Sequence, residues 1–522
     1  MLRLVSSSLL GIWLLSGASV LAQDAGLSTK YAETITPQDL KKHLSVLASD
    51  EYEGRETARK GQKMAAKYIE EHFASLGLTP MGNETGFQQS FPVKITHPQG
   101  ISVKVGGEEL TRFEDYYNFF NGENGSYSDD DLIYLGYGIN DQNYNDYDGV
   151  NVEGKIILVS SGEPKHKGDY WIGGKEVPTP WSYDWRAKSE MAGQKGVKAM
   201  FVIDPKFDRT VGKMKSVMDK QKFEVPGLEH SDAGIPIFYL TRAQADAMLK
   251  AGGFKKGTAH LEKKIQKKKK PINIAASVKV EINVDRKIEA LTSENVIGVI
   301  EGTDKKDELI VLSAHYDHLG IRGEDVYNGA DDDGSGTVTL LELAEAFAEA
   351  KKNGNGPRRS VMFLSVSGEE KGLFGSAWYA ENPTVSLSST VANLNIDMIG
   401  RTDINHENDS NYVYVIGADK LSSELHDINE KANTDFTQLD LDYKYNDEDD
   451  PNRFYYRSDH YNFAKNGIPV IFYFTGVHKD YHKPTDTFDK IMYGKTSTIA
   501  KLVFHTAWEL ANRESRIKVD KE

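Results

Sequence analysis

Residues 308–352 read "ELIVLSAHYDHLGIRGEDVYNGADDDGSGTVTLLELAEAFAEAKK". The stretch begins with a continuous apolar run, passes through a polar loop and ends with apolar residues at helical spacing, which predicts a strand, a loop and a helix. Within the loop, "NGADDDGSGT" (328–337) places three aspartates side by side. Adjacent carboxylates repel each other unless positive charge lies among them, so the triplet is either a solvated turn or part of a metal site.

The same alternation of strand, loop and helix continues through the chain after about residue 290. Continuously apolar strands that alternate with amphipathic helices indicate an α/β fold, with a mostly parallel, mixed central sheet flanked by helices. The expected strands are "NVIGVIEG", "ELIVLSAH", "SVMFLSVS", "VANLNIDM", "NYVYVIGA" and "PVIFYFTG", and the expected helices "VTLLELAEAFAEAKK", "SELHDINEKANT" and "STIAKLVFHTAWELANRE". Near the N-terminus, residues 37–77 predict two helices that flank a turn at Glu53, Gly54 and Arg55.

Length and composition limit the class of protein. At 522 residues the chain is long enough for two to four structural units. Its formal net charge of -15 argues against nucleic acid as a partner, because a phosphate backbone would be repelled.

The first 22 residues have the pattern of a signal peptide: Arg3, an apolar run, then small residues before a cut after Ala22. No later stretch reaches the ~20 apolar residues of a spanning helix, so the protein is not expected to span a membrane. We therefore expect export to the periplasm, or secretion, in a bacterium. Cysteine is absent, so disulfides cannot contribute.

Residues 121–280 have a different residue pattern, in which short apolar runs are separated by glycine and proline. This pattern predicts an inserted, strand-rich module between an N-terminal part (30–120) and the main part (285–515) of one larger domain. The lysine-rich run from Lys263 to Pro271 is interpreted as a solvated connector, with an anion-binding patch as the alternative.

Chemically useful side chains follow four of the predicted strands. In open α/β sheets, ligands bind beyond the carboxyl ends of the strands, so residues at those ends share one edge. Asp397 is notable because it lies at the end of an apolar strand, where a carboxylate is costly unless it is paired or binds a cation. The residues at the four strand ends are His315 and Asp317; Glu369 and Glu370; Asp397; and His478, Asp480, Tyr481 and His482.

This set of residue types suits zinc or a similar divalent metal. Histidine and carboxylate ligands without cysteine are typical of such ions, whereas calcium prefers oxygen ligands alone. The aspartate triplet also lacks the alternating acidic positions and the final glutamate of a calcium loop.

Five motifs, in order, carry a resemblance to a known family: "HYD", "NGADDDGSGT", "SGEEKGLFGS", "NLNIDMIG" and "YHKPTDT". They resemble the zinc aminopeptidases of the aminopeptidase Y and bacterial leucyl aminopeptidase type, metallopeptidase family twenty-eight. The resemblance covers roughly residues 37–120 and 285–512 and implies the zinc-exopeptidase fold, which is phosphorylase/hydrolase-like. The module at 121–280 resembles the protease-associated domain that interrupts the catalytic domain in many members.

The resemblance also implies a division of roles. Two zinc ions would be bridged by Asp332, with His315 and Asp397 completing one site and Glu370 and His482 the other. Glu369 would be the general base, and Asp317 the carboxylate that orients His315.

Other polar residues near the motifs receive secondary interpretations. Tyr481 is a candidate hydrogen-bond donor to the oxyanion, with a packing role as the alternative. Asp331 and Asp333 are expected to bond the loop or face water, and His318 and His478 to be ordinary loop histidines. Ser458, Asp459 and His460 are expected to support the wall of the site, and Arg457 to neutralise nearby acids or to meet a substrate carboxylate.

Together these features predict an exported metallo-aminopeptidase that acts on peptides with a free N-terminus through two Zn²⁺ ions per chain. A carboxypeptidase or a glutaminyl cyclase on the same fold is an alternative, and a non-catalytic, receptor-like relative is another.

Overall fold

The structure is a computed structural model, and it describes residues 26–83, 86–166, 168–174, 177–228 and 234–521. The predicted signal peptide, 1–22, lies outside the described residues. The described chain divides into two compact units: one contains the residues up to Val93 and those from Leu291 onward, and the other is Lys94–Ala290.

Twelve α-helices lie between Pro37 and Asn512 in the described part of the chain. They are α1 Pro37–Leu47, α2 Lys60–Ser75, α3 Pro180–Tyr183, α4 Trp185–Gln194, α5 Phe207–Met218, α6 Arg242–Ala251, α7 Thr258–Lys268, α8 Gly336–Lys352, α9 Phe374–Glu381, α10 Ser423–Ala432, α11 His460–Ala464 and α12 Tyr493–Asn512.

The strands vary from two residues in β1 to thirteen in β18. They are β1 Thr79–Pro80, β2 Gln88–Thr96, β3 Ile101–Val105, β4 Glu108–Glu109, β5 Tyr116–Tyr117, β6 Gly125–Asp129, β7 Leu132–Leu135, β8 Asn140–Asp141, β9 Tyr144–Asn145, β10 Ile156–Ser160, β11 Lys165–His166, β12 Asp169–Tyr170, β13 Ala199–Ile203, β14 Lys222–Glu224, β15 Ile237–Leu240, β16 Asn273–Ala276, β17 Val280–Val284, β18 Ile288–Ile300, β19 Lys305–His315, β20 Gly320–Arg322, β21 Asp325–Tyr327, β22 Arg359–Val366, β23 Thr390–Ile396, β24 Tyr412–Ile416, β25 Asp440–Asp442 and β26 Val470–Phe474.

A mixed sheet organises the first unit, in the order β2-β18-β22-β19-β23-β26-β24-β25. Its four central strands, β22, β19, β23 and β26, are mutually parallel, whereas β18 and β24 run antiparallel to their neighbours β22 and β26. The predicted mixed α/β sheet is therefore confirmed. Its parallel centre places the carboxyl ends of four strands at one edge.

The helices cover the sheet through apolar faces that the sequence indicated. The largest core cluster joins α1, α2, α8 and α12 to the central strands, with side chains such as Leu44, Phe73, Phe347 and Phe504 fully buried. α8 starts at Gly336, three residues after the last aspartate of the triplet, and its burial fixes the end of that loop. The short helices α9 and α11 were not predicted, because five to eight residues give too little periodicity to recognise.

The second unit has its own core and two main sheets. One has the order β16-β7-β10-β13-β15-β5, in which β7, β10, β13 and β15 are parallel, and the other is the antiparallel sheet β4-β3-β17-β6. Five helices, α3 to α7, accompany these strands, so the unit contains more helix than the sequence suggested. The lysine-rich run is helical up to Lys268, with Leu261 and Ile265 buried and its lysines exposed.

Within the described residues, no helix combines the length and apolarity needed to cross a bilayer.

Candidate metal centre

The polar residues predicted at the strand ends meet at one edge of the sheet in the first unit. His315 is the last residue of β19, and Asp397 directly follows β23. Glu369 and Glu370 lie in a single turn of 3-10 helix just after β22, and the loop that leaves β26 carries His482. Adjacent parallel strands thus supply every side chain predicted for metal binding except Asp332, which comes from the loop before α8.

The aspartate triplet is buried, and its outer two members hold the backbone. Asp333 accepts hydrogen bonds from the backbone N–H groups of His315 (3.2 Å), Gly336 (2.8 Å) and Met398 (3.1 Å). Gly336 has to be glycine, because a Cβ there would lie 2.4 Å from an Asp333 oxygen. The bond between Asp332 and Asp333 is a cis peptide.

Asp331 is held in place by contacts with other segments of the chain. Its Oδ1 accepts a 2.6 Å hydrogen bond from the backbone N–H of Gly400, and its Oδ2 lies 3.2 Å from Nε2 of His478. Asp486 accepts from the backbone N–H groups of both Asp331 and Asp332, at 3.0 and 3.2 Å. The loop is therefore fixed on both sides of Asp332.

Asp332 has its two carboxylate oxygens directed at different histidines. Oδ1 lies 3.3 Å from Nε2 of His315, and Oδ2 lies 3.1 Å from Nε2 of His482. On the first side, His315 Nε2 is also 3.6 Å from Oδ1 of Asp397; on the second, His482 Nε2 is 3.3 Å from Oε2 of Glu370. Two groups of ligand atoms thus meet at one carboxylate.

The side chains of the adjacent residues Glu369 and Glu370 point in different directions. Oε2 of Glu369 lies 3.8 Å from Nε2 of His315, and Oε1 of Glu370 lies 2.8 Å from Nδ1 of His318. The Glu369 side chain retains 13% of its exposure, against 5% for Glu370. Glu370 is thus enclosed by histidines, whereas Glu369 can meet a molecule that enters the site.

Further contacts fix the side chains that surround Asp332. Ser458 donates a 2.6 Å hydrogen bond to Oδ2 of Asp397, as expected for a residue of the wall. Asp317 accepts from Thr57 Oγ1 at 2.6 Å and from the backbone N–H of Glu369 at 3.2 Å. Nδ1 of His315 lies 3.1 Å from the backbone carbonyl of Asp317 and 3.7 Å from its carboxylate, so the carbonyl is the closer acceptor.

Charge dominates the energetics of these groups. Burial opposes ionisation of Asp332, but the adjacent imidazoles of His315 and His482 outweigh it and hold its pKa well below the usual range. For His482, burial lowers the pKa while Asp332 and Glu370 raise it, with a net value of about 9. Burial raises the pKa of Glu369 well above that of a free glutamate. Carboxylates crowded together in a buried place repel one another, and a bound cation would relieve that repulsion.

The donor atoms fit divalent metal ions. Two groups of three side chains have ligand atoms within 4.8 Å of one another: His315, Glu369 and Asp397 form one, and His318, Asp332 and Glu370 form the other. Several of these atoms are buried without a hydrogen-bond partner among the described residues, including His315 Nε2, Asp332 Oδ2 and Glu370 Oε1. Imidazole nitrogens and carboxylate oxygens that are buried without a hydrogen-bond partner are suited to binding zinc.

Two histidines have positions that the sequence interpretation missed. His318 and His478 are not ordinary loop histidines, because both are buried and each faces a carboxylate of the site. The His318 ring packs against Gly329, where a Cβ would lie 2.4 Å from its Cγ. In the sequence, "HYDH" gave the only available hint, since its second histidine follows the motif directly.

Arg55 is a second feature that the sequence interpretation did not use. Its guanidinium is fully buried and donates to the backbone carbonyls of Leu47, Tyr316, Asn328 and Gly329 at 2.6 to 2.9 Å. The turn between the first two helices therefore supports the strand end at His315 and the start of the aspartate loop.

Tyr481 and Arg457 border the site on its exposed side. The Tyr481 ring stacks on the His482 ring, with centroids 3.8 Å apart and an interplanar angle of 20°. Burial, followed by the charges of Asp332 and Glu370, raises the pKa of Tyr481, so its hydroxyl keeps its proton. Arg457 is exposed, and its guanidinium carbon lies 4.9 Å from the centre of the Phe454 ring.

Parts of this chain are similar to known proteins. Residues 295–507 match the model of Peptidase family M28, which confirms the family expected from the five motifs. A probable leucine aminopeptidase of Arthroderma otae is 32% identical over 217 residues, which are 40% of this chain and 55% of that protein. A probable glutamate carboxypeptidase of Arabidopsis thaliana is 40% identical over 105 residues, 20% of this chain and 14% of that protein.

Those matches therefore cover between 14% and 55% of the length of the two relatives. Among solved structures, an aminopeptidase from Aneurinibacillus sp. strain AM-1 aligns with 95% of this chain and 98% of its own, at a TM-score of 0.53 and 19% identity. At that identity the likeness concerns the fold alone.

Proposed function

We propose that this chain, whose residues 295–507 match Peptidase family M28, is a metallo-aminopeptidase that removes N-terminal residues from peptides with the help of two zinc ions. One observation carries the proposal: the two oxygens of Asp332 face two different histidines, each backed by a further carboxylate. A carboxylate in that position can hold two cations side by side.

The residues assigned to metal binding form two sets that share Asp332. His315 and Asp397 complete one set, and His482 and Glu370 complete the other. Two zinc ions held there would supply positive charge that acidifies a water molecule and polarises the scissile carbonyl. His318 is assigned to orienting Glu370, because its ring is fully buried and its Nδ1 lies 2.8 Å from Oε1 of that glutamate.

Glu369 is assigned as the general base. It accepts a proton from the water whose oxygen attacks the peptide carbon, and it donates that proton to the amine nitrogen as the C–N bond breaks. The hydrogen bond from its backbone N–H to Asp317 fixes the start of this side chain, and its partial exposure lets it reach the attacking water. Tyr481, at the rim, is assigned as the donor to the oxyanion that forms during attack.

The distribution of charge favours substrates with a free amino group. Besides the assigned ligands, Asp459 and Asp486 are buried near the same edge, and such an excess of acidic side chains would favour a protonated amine over a carboxylate. Nearby cations already have partners: Arg401 pairs with Asp480 at 3.1 Å, and Lys371 with Glu56 at 3.0 Å. The exposed Arg457 is the residue that a carboxypeptidase would use, so that activity is the second candidate.

A peptide profile separates these activities. Purified protein is incubated with matched peptides that are free at both ends, N-acetylated or C-amidated, and zinc is quantified by mass spectrometry on the same sample. We expect cleavage of the free and C-amidated peptides, none of the acetylated peptide, and two zinc ions removed together with activity by a chelator. Cleavage of the acetylated peptide from its C-terminus would replace the aminopeptidase assignment with the carboxypeptidase one, and cyclisation of N-terminal glutamine with a single zinc would indicate the cyclase.

The cellular location is also part of the proposal. The leader-like pattern of residues 1–22 supports export, and determining the N-terminus of the protein recovered from a bacterial periplasm or culture medium tests it. A mature protein that begins just after Ala22 is the expected result.

A further inference from the structure

A second cluster of histidines and glutamates lies in the first unit and shares no residue with the site at the sheet edge. It is formed by His43 of α1, His72 of α2, and Glu342 and Glu345 of α8. Glu342 and Glu345 are three residues apart, so they lie on the same face of their helix. Ligand atoms of His43, His72 and Glu345 all lie within 4.8 Å of one another, and His43 Nε2 lies 3.6 Å from Oε1 of Glu342.

The imidazole ring of His43 is oriented through one nitrogen, which leaves the other for the cluster. Nδ1 of His43 lies 2.7 Å from the hydroxyl of Tyr68. Nε2 of His72 is buried and, among the described residues, has no hydrogen-bond partner. The two rings pack edge to face with centroids 4.8 Å apart. Metal-binding histidines are commonly oriented in this way, with one nitrogen on the metal and the other on a fixed acceptor.

Glu342 gives an independent indication that a cation belongs here. Its side chain keeps only 2% of its exposure, and its Oε1 has no hydrogen-bond partner within the part of the chain that the structure describes. A buried carboxylate in that state is costly unless it is protonated or meets a cation.

We propose that His43, His72, Glu342 and Glu345 form a further divalent-cation site of the zinc type. Two imidazole nitrogens and two carboxylate oxygens are a donor set that zinc accepts in tetrahedral geometry. Glu345 is exposed and His72 half-buried, so a metal ion can enter from solvent without opening the core.

The site would join three helices that are otherwise held by apolar packing. A metal that binds only the folded protein raises its stability by an amount that grows with the logarithm of the ratio of free metal concentration to Kd. It would also anchor α8, the helix that begins directly after the loop of Asp332. The role of this site is therefore structural, and its metal is held apart from the reacting atoms.

The test compares zinc content and thermal stability in the full-length protein. His72→Gln and Glu345→Gln are used because both side chains reach the surface, and His260→Gln and Glu71→Gln are matched controls at exposed positions. Each protein is stripped with a chelator, reloaded with excess zinc, passed through a desalting column and measured by mass spectrometry. We expect the wild type and both controls to hold one zinc more per chain than His72→Gln or Glu345→Gln, and these two variants to lose part of the zinc-induced rise in Tm while they keep peptide hydrolysis.

Equal zinc content in all five proteins, with an equal rise in Tm, would overturn the proposal. The test compares the zinc content of wild type and variant, and the sheet-edge site contributes equally to both. The difference therefore reports on the helix cluster whether the sheet-edge site holds two ions, one or none. If His72→Gln does not fold, as judged by circular dichroism, Glu345→Gln decides the question, since its side chain is exposed and contributes little to packing.

Discussion

Nε2 of His482 lies 3.1 Å from Oδ2 of Asp332, although 149 residues separate them in the chain. This contact brings the loop after β26 to the loop before α8 and completes the second half of the candidate metal centre. It places His482 on the side of the carboxylate opposite to His315, which faces Oδ1. The bridging role proposed for Asp332 depends on this arrangement.

Glu369→Gln should separate catalysis from metal binding. The amide cannot accept the proton from water, so we expect kcat to fall by roughly 10² to 10⁴ while zinc content stays unchanged. Glu381→Gln, at the exposed end of α9, is the matched control and should retain full activity. If the Glu369 variant turned over substrate as fast as the wild type, Glu369 could not be the general base.

Asp332→Asn and Asp333→Asn should differ although the residues are adjacent. The first removes the charge shared by both metal sets, so zinc content should drop. The second replaces an acceptor of the His315 backbone N–H by a donor, so it should lower the free energy of unfolding by about 1 to 3 kcal/mol while zinc remains bound. Mass spectrometry and urea denaturation measure the two effects, and unchanged zinc in the Asp332 variant would refute the bridge.

His318→Gln and His482→Gln should separate a ligand from a positioning residue. We expect His482→Gln to lose one zinc per chain. His318→Gln should keep both ions but bind the second about 10 to 100-fold more weakly, because Glu370 loses its orienting partner. Competition with a calibrated chelator measures both affinities, and the reverse pattern would make His318 the ligand.

Tyr481→Phe tests the assignment of the oxyanion donor. Removal of a hydroxyl that acts only during attack should lower kcat by about 10² or more and leave KM almost unchanged. The phenyl ring keeps the stacking on His482, so zinc content should not change. Unaltered kcat would show that the tyrosine only packs against the site.

Lys188 of the second unit predicts a dependence of stability on pH. Its ammonium is buried and donates to the backbone carbonyls of Ser160 and Gly162, and burial lowers its pKa from 10.5 to about 7. Between pH 7 and pH 10.5 this lysine is protonated in the unfolded chain but mostly neutral in the folded protein. Burying the charged form therefore lowers the free energy of unfolding most below pH 7, and this loss becomes smaller as the pH rises.

Lys188→Met should therefore be more stable than wild type near pH 6, with a difference that shrinks toward pH 9. Denaturant unfolding at several pH values measures it, with exposed Lys195→Met as control. A difference that does not change with pH would contradict the lowered pKa.

Much of the candidate site could be predicted from spacing alone, because parallel strands deliver whatever follows them to one edge. His315, Glu369, Glu370 and Asp397 each follow an apolar run, and the structure brings them together. The first two helices were predictable for a similar reason, since their apolar residues repeat at helical spacing. Both cases use periodicities that the backbone itself imposes.

Other features depended on contacts between residues that are distant in the chain, and the spacing of residue types in the sequence could not predict them. The inward position of His318, the support from Arg55, and the meeting of His43 and His72 with Glu342 follow from helix packing and loop paths. The sequence by itself determined the alternating strands and helices and the residue types at the strand ends. Only the tertiary structure decided which oxygen of Asp332 faces which histidine, because side-chain direction is set by packing among residues that local spacing does not relate.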